Sequence, residues 1–259
     1  MNVETSHGTL HVHETGSSGR PLLLLHPLAL SGAVWRPVAH FFADKAQVLA
    51  LDARGHGEST WDGNDFTVVD MAGDAAAVIE AVGGPADVVG LSMGASTALT
   101  LAQTRPDLVH RLVLADGTAY YGDDAVPVWA ERAERATTVP REKQLDFQRD
   151  RWFAEPFRQQ HPDEVERVCD IFVKTDSAAH GAACRALGGL DARARLGEVK
   201  APTWVLVGEE DYATPPEMSQ AVADGIPGAK MQVLEKTRHL SLLERPDLWP
   251  ELASFFGAS

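Results

Sequence analysis

The sequence predicts an α/β fold: a mostly parallel central sheet with helices on both faces, interrupted by a helical insertion. Three observations carry this. Apolar runs of strand length alternate with segments of helical spacing through the first half of the chain and again near its end. The stretch 120–195 has no convincing strand pattern. The chain has 259 residues, 44% of them hydrophobic, which suits one large domain or a domain carrying an insertion, with ample material for a core.

The elements follow in order. Residues 8–14 (GTLHVHE) alternate apolar and polar, the pattern of a half-exposed strand. Segments 21–26 and 47–52 are continuous apolar runs of buried-strand length, with helical spacing over 33–43 between them. Two further buried strands, 87–91 and 111–115, flank an Ala- and Leu-rich helix over 95–104 that must stop before Pro106. From 120 to 195 the pattern becomes that of amphipathic helices rich in Arg, Trp and Phe, punctuated at Pro140, Pro156 and Pro162. Buried strands are expected again at 203–207 and 231–234, with helices at 217–224 and 248–256. The division expected is a sheet core from 1–119 and 196–259, with a helical cap over 120–195.

The formal charge is −14. Sequence-independent nucleic-acid affinity comes from Lys and Arg neutralising phosphates, so nucleic acid and anionic membrane are not expected partners. The charge is uneven: 120–195 holds 12 of the 23 Lys and Arg but 14 of the 37 Asp and Glu, so the cap is nearly balanced and the core carries the excess. An anionic small molecule is therefore not excluded. The polar start lacks a basic region followed by an apolar run, and no segment approaches the roughly 20 apolar residues of a membrane span, so a cytoplasmic location is expected. Cys169 and Cys184 lie in no C-x-x-C pattern and read as free buried thiols. No phosphate loop, dinucleotide fingerprint or metal-ligand spacing occurs, so no cofactor and no metal are expected.

Gly90-Leu91-Ser92-Met93-Gly94 is a G-x-S-x-G sequence directly after a strand and directly before a helix, the context that makes this motif specific. The turn pushes Ser92 Oγ out at the carboxyl edge of the sheet, where a helix N-terminus lies beneath any developing negative charge. The bland alternative is a serine that merely caps a helix. A serine hydroxyl needs a base, and the base needs an acid to orient it, in the chain order Ser, Asp or Glu, His. Of ten His residues only His239 lies late in the chain, which makes it the candidate base. Asp211 is the favoured acid because it follows a strand on the same late part of the sheet; Asp116, Glu209 and Glu210 compete with it. The oxyanion donors expected are the amide of Met93 and, since Pro27 has no N–H, that of Leu28. His26 reads equally well as an organiser of that loop or as a core histidine satisfied by backbone. Asp52 to Ser59 (DARGHGES) reads as a structural turn, with Gly55 and Gly57 free to take positive φ.

With Ser92, Asp211, His239, this D-x-R-G-H-G-x-S turn and the inserted helices in place, the whole chain resembles the α/β-hydrolase superfamily. It is more closely similar to the 3-oxoadipate enol-lactonases, through GLSMG at 90–94, RLVLADGTAYYG at 111–122, Arg151-Trp152-Phe153, VERVCDIFVKTD at 165–176 and LDARARL at 190–196. The stretches 201–216 and 239–246 (HLSLLERP) are likewise similar. The chain departs from the family's polar Ser-Asn-Ser-Leu-Gly stretch, having Leu25-His26-Pro27-Leu28-Ala29 in its place. The resemblance implies an α/β-hydrolase fold with an inserted cap, hydrolysis of an ester or lactone through an acyl-enzyme, and the enol-lactone of 3-oxoadipate as substrate. It also implies substrate contacts among Trp129, Arg132, Arg135, Arg151 and Trp152. The alternatives are a general carboxylesterase or a cofactor-free perhydrolase or haloperoxidase and, from another class, a hydrolase-fold protein that binds ligand without turnover. Haloalkane dehalogenases and epoxide hydrolases are disfavoured because they need Asp where Ser92 stands.

Overall fold

The computed structural model describes residues 1–258. Its eight strands are β1 (Asn2–Thr5), β2 (Gly8–Thr15), β3 (Pro21–Leu25), β4 (Gln47–Leu51), β5 (Ala86–Leu91), β6 (Val109–Ala115), β7 (Thr203–Gly208) and β8 (Lys230–Leu234). They form one sheet in the order β1-β2-β4-β3-β5-β6-β7-β8, with β1/β2 and β2/β4 antiparallel and every later pairing parallel. The central strands run apolar on both faces because helices cover both: β3, β4, β5 and β7 are buried almost throughout.

Some elements escape the sequence pattern and one departs from it. β1 is four exposed or half-exposed residues, paired with β2 and with Val3 packed against the core. Helix α2 (Val68–Ala81) opens on a capping box in which the Thr67 hydroxyl accepts from the Asp70 amide while the Asp70 carboxylate accepts from the Thr67 amide. β8, expected to be buried, is an edge strand with only Leu234 fully inside and Val233 45% exposed. Edge position, rather than composition, decides its burial.

The remaining helices of the core are α1 (Arg36–Phe42), α3 (Met93–Thr104), α9 (Pro216–Gly225), α10 (Ser241–Glu244) and α11 (Trp249–Phe256). Between β6 and β7 the chain forms α4 (Ala125–Thr138), α5 (Arg141–Trp152), α6 (Glu155–Gln160), α7 (Pro162–Lys174) and α8 (Ser177–Gly188), with a single isolated bridge, Tyr120 to Asp191. The three prolines sit at helix starts, where a missing N–H costs nothing: Pro140 precedes α5, Pro156 is in the first turn of α6 and Pro162 begins α7. Two apolar clusters, one per face of the sheet, hold the molecule together. Trp129, Ala182 and Leu187 of the insertion share the first with Leu23, Leu99 and Leu112, while Trp152, Phe153 and Phe172 share the second with Leu24, Leu91 and Trp35.

The DARGHGES turn is built around the Asp52 carboxylate. One oxygen accepts from the Gly32 amide at 2.6 Å, the other from the Glu58 amide at 2.9 Å, and the Ser59 hydroxyl donates to the Asp52 carbonyl at 2.6 Å. Gly57, at φ +55, has no room for a side chain, since a Cβ there would lie 2.2 Å from an Asp52 oxygen. Arg54 leaves this turn to form a buried two-pronged pair with Asp74 of α2, at 2.6 and 2.8 Å.

Candidate active site

β5 ends at Leu91 and α3 begins at Met93, so the single residue between them must reverse the chain. Ser92 does so at φ 57, ψ −115, a strained backbone for a residue with a side chain. The reversal brings strand and helix together: a Cβ on Gly90 would lie 2.2 Å from the Gly94 carbonyl oxygen, and one on Gly94 would lie 2.0 Å from that of Leu25.

His239 lies in the loop between β8 and α10, with its ring between two partners. Nε2 is 2.8 Å from Ser92 Oγ, and Nδ1 is 2.8 Å from Asp211 Oδ2. The other Asp211 oxygen accepts the amides of Ala213 and Thr214, and the Thr214 hydroxyl donates to Oδ2 at 2.9 Å, so the carboxylate is fixed from both sides. Burial pushes the Asp211 carboxyl up, but the adjacent His239 and these donors hold it below the usual carboxylate range. Burial pushes His239 down; the charge and hydrogen bond of Asp211 hold it above 6.5.

Asp116, the competing carboxylate, does not touch the imidazole. It sits after β6 at φ 51, where its oxygens accept the Gly208 amide at 3.0 Å and the Ser241 amide at 3.0 Å. It thereby ties the loop that carries Asp211 to the loop that carries His239. Burial and the neighbouring Asp211 push its carboxyl up to about 8. Glu209 and Glu210 point elsewhere, accepting from the Lys236 amide and the Arg238 guanidinium.

Among the described residues the Leu28 and Met93 amides donate to no protein acceptor, which leaves both available to a ligand. Leu28 borders the cavity in front of Ser92, whereas the Met93 side chain turns into the core. His26 joins both readings given to it: Nδ1 donates to the Pro27 carbonyl at 2.7 Å and Nε2 accepts the Ala53 amide at 3.0 Å, so it is satisfied by backbone and braces this loop.

The cavity holds about 340 Å³ and is bounded by Ser92 and His239 on one side and by the inserted helices on the other. Trp129, Arg132, Arg135, Arg151 and Trp152 all line it. The insertion is clamped against the histidine loop: the Arg151 and Trp152 carbonyls accept the His239 and Leu240 amides, and the Glu244 carboxylate accepts the Ala154 amide. Of the 12 Lys and Arg in 120–195, six have a carboxylate partner. Four of those without one among the described residues, Arg132, Arg135, Lys143 and Arg151, line the cavity. Burial and the nearby Arg132 both push Arg151 below its usual range. The guanidinium of Arg132 stacks over Trp129 at 4.5 Å.

Sequence reasoning missed Tyr121, Lys143, Gln144 and His180 on the cavity wall. Tyr121, half-buried and with its hydroxyl pushed up to about 12, packs edge-on to Trp129 at 4.8 Å. Helical spacing alone does not say which face of α5 or α8 turns inward, so no signal singled them out. Cys169 and Cys184 are free and buried, and burial pushes the Cys184 thiol up to about 12. His11 and His13, two apart on β2, approach Asp52 with ligand atoms within 4.8 Å of one another, the one such grouping among the described residues. Asp52 already accepts from His13 Nε2 at 3.1 Å and is committed to its turn.

The profile described as "Alpha/beta hydrolase family" matches residues 22–249. The chain belongs to the alpha/beta hydrolase family. It is 26% identical to 3-oxoadipate enol-lactonase 2 of Acinetobacter baylyi over 233 residues, covering 89% of this chain and 86% of that protein. It is 28% identical over 247 residues to (E)-2-((N-methylformamido)methylene)succinate hydrolase of the same organism, covering 92% and 90%. The crystal structure of the enol-lactonase from Burkholderia xenovorans superposes with a TM-score of 0.90 at 27% identity, over 97% of each chain. No helix among the described residues is long and apolar enough to cross a membrane.

Proposed function

We propose that this hydrolase-family chain opens a small anionic lactone or ester through an acyl-enzyme, with the enol-lactone of 3-oxoadipate as the substrate that its relatives favour. The observation that carries the chemistry is the single imidazole held at 2.8 Å from both Ser92 Oγ and Asp211 Oδ2. His239 takes the Ser92 proton as Oγ attacks the carbonyl carbon, and Asp211 stabilises the imidazolium that forms. The oxyanion receives the Leu28 and Met93 amides, each worth about 3 to 4 kcal/mol in such sites. The acyl carbon to ring oxygen bond then breaks, and His239 returns the proton to the departing oxygen. A lactone's leaving group stays tethered, so the whole acyl-enzyme remains beneath the cap of residues 120–195 until His239 activates water for deacylation.

The substrate's charge rests on a second observation. Arg132, Arg135, Lys143 and Arg151 line one cavity with no carboxylate partner among the described residues, and burial with the nearby Arg132 pushes Arg151 below its usual range, a cost that a bound anion would offset. Ser92→Ala tests the chemistry: hydrolysis of p-nitrophenyl acetate is expected to disappear while far-UV circular dichroism stays unchanged, and unaltered turnover would sink the assignment. Comparing kcat/KM on the enol-lactone with that on neutral aryl esters tests the substrate. A preference for neutral esters favours the general carboxylesterase or perhydrolase reading instead.

A further inference from the structure

His180 lies on α8, on the cavity wall and 6% exposed, and Arg141 stands behind it at the start of α5. Arg141 is a buried guanidinium with no carboxylate within 4.0 Å among the described residues, an unusual expense for a fold. It stacks on the Phe172 ring at 3.7 Å, donates from Nε to the Phe172 carbonyl near the C-terminal end of α7 at 3.2 Å, and donates from Nη1 to His180 Nδ1 at 2.6 Å. A guanidinium only donates, so His180 Nδ1 must accept and the ring proton must sit on Nε2. His180 Nε2 has no partner among the described residues, yet it is absent from the fully enclosed orphan atoms Trp35 Nε1, His56 Nε2, Arg158 Nε and Ser241 Oγ. Nε2 is thus not fully enclosed, and His180 lines the cavity that also exposes Ser92.

We propose that Arg141 and His180 form a specificity device in which a tautomer-locked, polarised N–H receives a second oxygen of the substrate, a carbonyl or carboxylate away from the scissile bond. The guanidinium at Nδ1 withdraws electron density from the ring and strengthens Nε2–H as a donor. Burial pushes His180 down to about 3, with Arg141 acting in the same direction, so the ring stays neutral and holds one fixed donor. The device discriminates because a substrate lacking that oxygen leaves a desolvated donor unpaired. The inference deepens the serine-hydrolase reading and rests on it.

The test uses p-nitrophenyl esters of pentanoate, of 4-oxopentanoate and of succinate, the last bearing a distal carboxylate. The readout is the ratio of kcat/KM for each oxygen-bearing ester to that for the pentanoate. His180→Phe should lower that ratio about 5- to 10-fold for at least one of the two, and His180→Gln, whose amide supplies an N–H, should recover most of it. The ester affected identifies the oxygen received. Arg141→Met frees Nδ1 without touching the cavity wall and should lower the same ratio. Unchanged ratios in His180→Phe, or equal losses in His180→Phe and His180→Gln, overturn the proposal. Failure of the underlying reading is distinguishable, because the wild-type protein would then hydrolyse none of these esters in a Ser92-dependent way.

Discussion

As the proposed base, His239 would take the Ser92 proton only when neutral, and its neighbours set where that happens. Burial alone would depress its pKa, but the charge and hydrogen bond of Asp211 hold it above 6.5. The acid limb of kcat/KM should accordingly fall off below a pKa higher than that of a free histidine. Asp211→Asn removes the main opposing charge and the group that fixes the tautomer. Its acid limb should move to lower pH, with kcat down about 10⁴-fold. Profiles on p-nitrophenyl acetate check both, and an acid limb that stays in place in the variant would tell against His239 as the base. How far such a site can be read from sequence depends on the residue. Ser92 stands inside a motif whose local context is itself in the sequence, and His239 is the only histidine late in the chain. The acid is harder: Asp116 and Asp211 both follow strands, and only the three-dimensional path separates the carboxylate that touches Nδ1 from the one that staples Gly208 to Ser241. Arg141 and His180 are 39 residues apart and meet only through helix packing, so no local spacing marks them.

At the scale of elements, the glycines of the Ser92 turn and of α2 should respond oppositely to the same added methyl group. A Cβ on Gly94 meets the Leu25 carbonyl oxygen at 2.0 Å, so α3 would have to leave β3. Gly73, exposed within α2, has nothing within 4 Å of a Cβ. Gly73→Ala should stabilise by about 0.5 to 1 kcal/mol, the helix propensity of alanine over glycine. Gly94→Ala should destabilise by about 3 kcal/mol or more, as overpacking against backbone does. Urea unfolding measures both, and equal effects would show that the Ser92 turn is less tightly held than its contacts imply. The same scale explains which elements the sequence discloses. β3, β5 and β7 are read correctly because burial on two faces imposes unbroken apolar runs. β1 is too short and too exposed to leave a pattern. β8 has a buried strand's composition at the sheet's edge, and α2 hides an explicit capping box at Thr67 and Asp70 among small residues.

For the whole molecule, the helices between β6 and β7 interrupt the chain without owning a separate core. Trp129 packs in the same cluster as Leu99 and Leu112, and Trp152 in the same cluster as Leu24 and Leu91. Two further ties cross the boundary: the Gln103 side chain donates to the Ala192 carbonyl, and Arg167 donates to the Ala33 and Val34 carbonyls. An insertion with its own core would melt on its own, because few favourable contacts would be lost with it. Here its loss would expose Leu91 and Leu112 on opposite faces of the sheet and open the clamp on the His239 loop. Unfolding should therefore be a single transition. Fluorescence from a variant retaining only Trp129 or Trp152 should track fluorescence from one retaining only Trp35 or Trp204, and both should coincide with far-UV circular dichroism. If Trp129 or Trp152 reports an earlier transition, the insertion is a separate folding unit, and the cavity above Ser92 would open before the sheet gives way.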